Sequence, residues 1–140
     1  MKYMSRLLLL ATILASGVDG AEPDAIDFNR DVRPILSDYC FACHGPDQGH
    51  RQADLRLDLR NAAITANAIV PGSSQASELI TRIMTDDAEM VMPPPDARKQ
   101  LTPRQKEILQ KWIEQGAEYA QHWAFVPLAP VEVPKVERAD

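Results

Sequence analysis

The stretch Tyr39-Cys40-Phe41-Ala42-Cys43-His44-Gly45-Pro46-Asp47 holds both cysteines of the 140-residue chain, with a histidine directly behind the second. Two cysteines with two residues between them fit several chemistries, and the neighbours choose among them. A thioredoxin-like redox pair follows a strand in a βαβ unit, whereas the residues before Cys40 have a helical period. Structural zinc asks for four ligands, and beyond these two thiols the chain offers only His44, His50, His122 and carboxylates. A disulfide across two residues closes too small a loop to stabilise much. The remaining reading is C-x-x-C-H, the attachment signature of c-type haem. On a helical turn, residues three apart share a face, so Cys40 and Cys43 can add to the two vinyl groups of one porphyrin edge while His44 turns its imidazole to the iron.

The N-terminus agrees with that chemistry. Lys2 and Arg6 precede the apolar run Leu-Leu-Leu-Leu-Ala-Thr-Ile-Leu-Ala, and small residues follow, with cleavage expected after Gly20. Residues 1–20 are therefore expected to be a secretory signal peptide, since the run is well short of the ~20 residues that span a bilayer. Haem attachment needs reduced thiols and takes place outside the bacterial cytoplasm, so an exported, periplasmic or equivalent location is expected, with membrane contact only through the export signal. Loss of Lys2, Arg6 and Asp19 takes the chain from 15 basic and 20 acidic residues to 13 and 19, and its net charge from −5 to −6. Such acidity speaks against nucleic acid as a partner. It suits a basic or neutral protein.

Before the cysteines, Phe28, Val32, Ile35, Leu36 and Tyr39 recur at intervals of three and four, predicting an amphipathic helix near 29–40 with Asn29 or Asp31 as N-cap and Pro34 in the first turn. After them, 45–72 reads as an irregular insert. Within it, Leu55, Leu57 and Leu59 alternate with Arg56 and Asp58, which predicts a short strand; a helical turn and a second brief extended stretch are expected before Pro71-Gly72. A helix near 74–84 is predicted from Ser73 or Ser74 as N-cap and Leu79, Ile80 and Ile83 as the buried stripe. The clearest helix is 103–115, with Thr102 as N-cap, Pro103 first, Gln105 completing a capping box and Gly116 as the stop. From Tyr119 onward the chain is rich in proline and charge and reads as a linker.

Haem iron bound by His44 has one further axial position. Its candidates are Met84, Met90, Met92, His50 and His122. His50 is only six residues from His44 and falls on the same side of the ring; His122 lies beyond the last helix; Met84 extends a core stripe. Met90 and Met92 both lie in a loop, and Met92 is favoured because Pro93, Pro94 and Pro95 stiffen the backbone behind it. A histidine and a methionine on the iron raise the potential and suit electron transfer over oxygen chemistry.

Five blocks in order, VRPILSDYCFACHGPD, LRLDLR, AIVPGSSQASELITRI, MPPPDARKQLTPRQKEILQKWIEQGA and HWAFVP, resemble the planctomycete-type cytochrome c domain over about residues 28–127. The resemblance implies an all-α, class I-like cytochrome c fold of three or more helices around one covalent haem c, with Cys40 and Cys43 as thioether sites, His44 as proximal ligand and Met92 as distal ligand. It also implies a domain over 21–122, and a linker over 123–140 leading to further domains past Asp140. The expected function is one-electron transfer with a redox partner protein or with fused downstream domains, and not catalysis by this domain. Alternatives are the electron-relay module of a larger exported oxidoreductase or carbohydrate-active enzyme, and, behind it, a haem-based sensor or peroxidase.

Overall fold

The computed structural model describes residues 25–127. The expected signal peptide, 1–20, and most of the expected linker lie outside them. The described residues are helical, with no strand among them.

The first helix is capped by Asp27, two residues before Asn29 and four before Asp31, the expected N-caps. Asp27, in extended conformation, accepts the backbone N–H of Arg30, and Asp31 reaches back to accept that of Asp27. From there Phe28–Val32 winds as a π-turn, with the Arg33 N–H bonded to the Phe28 carbonyl, and passes into α1, Arg33–Tyr39. Pro34 accounts for the wide turn: it has no N–H for the carbonyl four residues back, and in a regular helix its ring would press on that carbonyl. α2, Phe41–His44, is the single turn that carries the cysteine motif.

The insert contains α3, Arg60–Thr65, and turns in place of both expected strands. Leu57 is buried while Leu59 is 47% exposed, so the leucines do not share a face. Arg56 and Asp58 instead fold toward each other, their side chains paired at 2.7 and 2.6 Å. No strand lies beside this segment among the described residues, and its donors go elsewhere: Leu55 N–H bonds to nearby Gln52, and Leu57 N–H to the His44 carbonyl in the cysteine turn. Alternation in three leucines was a pattern of turns.

α4, Glu78–Met84, starts later than position 74 because its serines are engaged elsewhere. The Ser77 hydroxyl donates to the Ser73 carbonyl and accepts the Val70 N–H, and Ser74 donates to Glu114 on the last helix. α5, Pro103–Glu114, follows expectation, with both halves of the Thr102–Gln105 capping box formed. It ends in a Schellman motif: Ala117 N–H bonds to Trp112 and Gly116 N–H to Ile113, with Gly116 at φ +105°.

The core lies where the π-turn and α4 meet α5, around Val32, Leu36, Ile69, Leu109, Trp112 and Ile113, all fully buried. Trp112 sits among Phe28 and Tyr119, and its indole N–H donates to the Glu118 carbonyl at 3.0 Å. The chain after α5 is strapped back over the first helix: Asn29 donates to Gln121, Arg33 to Ala120, and Tyr119 donates to Leu57 in the insert. These ties fix the insert and both end segments relative to one another. A 3-10 turn, Trp123–Phe125, follows.

Candidate functional site

α1 stops at Cys40, whose backbone (φ −124°, ψ −42°) leaves the helical path while its N–H still reaches Leu36. The Cys40 carbonyl then accepts the N–H groups of both Cys43 and His44, at 3.1 and 2.8 Å. The motif is thus one closed turn. Its exit carbonyls have partners as well: Gln52 N–H donates to Cys43 and Leu57 N–H to His44. Arg51 completes the closure, giving its guanidinium to the carbonyls of Gly45 and Pro46 at 3.1 and 3.0 Å. Gly45 is required by proximity rather than by dihedral angle, since a Cβ there would lie 2.3 Å from the Phe41 carbonyl oxygen. Arg51 and Gly45 were not singled out from sequence; the glycine directly after the histidine was the available signal.

This turn forms one wall of a cavity of about 1110 Å³, which Cys40, Cys43, His44 and Met92 all line. That size is slightly above the usual range for small-molecule sites, about 300–1,000 Å³. Apolar side chains, among them Leu55, Leu57, Leu79, Ile83 and Pro93, make up the body of the wall. At the rim, Lys99 pairs with Asp38 at 2.9 Å and lies over the Tyr39 ring, whose hydroxyl accepts a hydrogen bond from Gln105 of α5.

Burial holds the His44 imidazole below its usual pKa, so it is neutral at pH 7, the form that binds a metal. Its Nδ1 is buried with no hydrogen-bond partner, a polar atom of the kind that coordination, or a partner fixed by it, satisfies. Burial, with Cys43 nearby as the smaller cause, pushes the Cys40 thiol up to about 12. Both cysteines are free, Cys43 on the exposed side. Met92 is half-buried in the loop after α4, its N–H bonded to the Arg82 carbonyl at 2.9 Å. Two thiols, a neutral imidazole and a thioether around one apolar cavity are a donor set that fits a covalently attached haem.

The other axial candidates stand apart from this cavity. Met90 is at the surface; Met84, expected to fill the core, is 42% exposed, because the stripe of α4 ends at Ile83. His50 pairs with Asp47 at 2.7 Å beside a smaller cavity, and His122 lies near Phe125. Among the described residues, no three His, Cys, Asp or Glu side chains gather at metal-binding spacing. Nor is any helix among them long and apolar enough to cross a membrane.

No curated protein and no solved structure matches the chain. Residues 40–96, which run from the first cysteine of the closed turn through Met92 and the prolines, match the model of the family described as Planctomycete cytochrome C. Over that segment, which carries the cysteine motif, the insert, α4 and the methionine loop, the chain is similar to the planctomycete-type cytochrome c domain.

Proposed function

We propose that the chain is an exported c-type cytochrome domain that carries one electron on a haem held by Cys40, Cys43, His44 and Met92. The observation that carries this reading is that the C-x-x-C-H turn and Met92 line the same apolar cavity. Bound there, haem supplies a one-electron couple. The residues would hold it: Cys40 and Cys43 through thioether bonds, His44 through a ring nitrogen and Met92 through its sulfur. Neutral sulfur favours the ferrous state more than a second imidazole does. Held by His44 and Met92 together, the group would be suited to electron transfer rather than to oxygen or peroxide chemistry. Leu55, Leu57, Leu79 and Ile83 line the cavity with apolar surface that would shield such a group from water. The acidic mature chain suits a basic or neutral redox partner.

A reduced-minus-oxidised spectrum of haem-matured protein tests this. It is expected to show c-type bands, with a weak near-infrared sulfur-to-iron band that disappears in Met92→Ala. Absent c-type bands overturn the proposal; a near-infrared band that survives in Met92→Ala overturns the axial role of Met92.

A second reading, the electron-relay module of a larger exported protein, is favoured by Phe125 and Val126, which are 73% and 50% exposed at the start of the proline-rich segment. A further domain packed against this end would cover them. A reading frame that continues past Asp140 in the gene supports it, and a stop codon directly after Asp140 contradicts it.

A further inference from the structure

We infer that Arg82 is the positioning residue for Met92, and that Glu78 fixes Arg82 in that role; this rests on the reading that the Met92 sulfur is an axial ligand. The loop from Thr85 to Met92 closes on Asp87, whose carbonyl accepts the N–H groups of Met90 and Val91 at 3.0 and 2.8 Å and whose carboxylate accepts that of Glu89. The end of the closed loop then meets Arg82 twice. The Arg82 carbonyl accepts the Met92 N–H at 2.9 Å, and the guanidinium makes a longer, 3.4 Å contact with the Met90 carbonyl. The same guanidinium is held through Nε by Glu78, one turn earlier on α4, at 2.7 Å.

Arg82 also lines the cavity, and it stands on a helix anchored in the core by Leu79, Ile80 and Ile83. Met92 is therefore joined to a rigid element through one residue. A ligand carried by a loop keeps its geometry only where a supporting contact fixes the backbone around it. Arginine suits this position because its planar fork can serve Glu78 and the Met90 carbonyl together, whereas a lysine has one ammonium to offer both.

The test uses haem-matured Arg82→Ala, Arg82→Lys and Glu78→Gln proteins, read by the near-infrared sulfur-to-iron band, by carbon monoxide binding to the ferrous form and by amide exchange at Met92. Arg82→Ala keeps the backbone carbonyl that accepts the Met92 N–H and removes only the guanidinium contact to the Met90 carbonyl, so exchange at the Met92 amide is expected to speed up severalfold as the loop end loosens. The near-infrared band weakens and carbon monoxide binds, while exchange at Leu109 in α5 stays at the parent rate. Arg82→Lys is expected to follow Arg82→Ala, and Glu78→Gln to move in the same direction by less. Full restoration by lysine means that charge alone matters, and overturns the inference; so does a parent-like band and Met92 exchange in Arg82→Ala. Should Arg82→Ala fail to fold, Glu78→Gln decides on the same readouts. A parent protein without the near-infrared band is a different result, one that removes Met92 as ligand and this inference with it.

Discussion

Gly45 has ordinary backbone angles, φ −127° and ψ −157°, that any residue can adopt. What excludes a side chain there is the Phe41 carbonyl, 2.3 Å from where a Cβ would stand. Gly45→Ala must therefore open the cysteine turn or push the Phe41 peptide aside, a local strain of about 1–3 kcal/mol. The expected outcome is a lower urea midpoint and a reduced yield of protein with both thioethers formed, measured by unfolding and by mass after haem maturation. Parent-like stability and yield in this variant would show that the turn is looser than described. The need for this glycine is legible only faintly in sequence, because the contact that imposes it is made by a backbone atom four residues earlier. Cys40, Cys43 and His44 stand out in the sequence because the C-x-x-C-H signature depends on spacing alone. Met92 was favoured for the prolines behind it, and the cavity it lines was not readable at all.

At the scale of elements, α5 shows what local signals can specify. Thr102, Pro103, Gln105 and Gly116 each act within one turn of the helix end they define, and all of them do what their positions suggest. Thr102→Ala removes the acceptor for the Gln105 N–H and is expected to cost about 1 kcal/mol. Calorimetry should show this as a fall of about 4–8 °C in Tm for a domain of this size; an unchanged Tm would mean that the capping box does not contribute. α4 and the insert were harder to read for a shared reason. Ser73, Ser74 and Ser77 have the chemistry of N-caps, yet Ser74 and Ser77 are bound to Glu114 and Val70, distant in sequence or on the far side of a turn. Similarly, the alternation through Leu55, Leu57 and Leu59 implied a strand, but a strand needs a neighbour, and the backbone here bonds to the His44 turn instead. Tertiary partners decided both cases.

The whole molecule is held by a few long-range ties around one aromatic cluster. Trp112 is 2% exposed and packs between Phe28 and Tyr119, joining the first helix, α5 and the strap that returns to the insert. It does not line the cavity, so its part is packing. Trp112→Ala is expected to cost about 3–5 kcal/mol, a large share of the stability of a small domain, read by denaturant unfolding; a loss below about 1 kcal/mol would mean that the cluster is dispensable. Stability should also fall in acid. The Arg56 guanidinium beside Asp58 holds its carboxyl below the usual carboxylate range. A depressed folded pKa gives stability that is present above the unfolded value, about 4, and lost as pH falls through the folded value. Asp58→Asn is therefore expected to be less stable than the parent at pH 7, with the difference closing below about pH 4. A difference that stays constant with pH would contradict the pairing.

The measurement that bears most directly on the central claim is the intact mass of the chain produced with export and haem maturation. The account predicts the polypeptide plus one haem, a mass that survives denaturation and is lost when Cys40 and Cys43 are both replaced by alanine. The bare polypeptide mass from the parent, under conditions that load other c-type cytochromes, would contradict it.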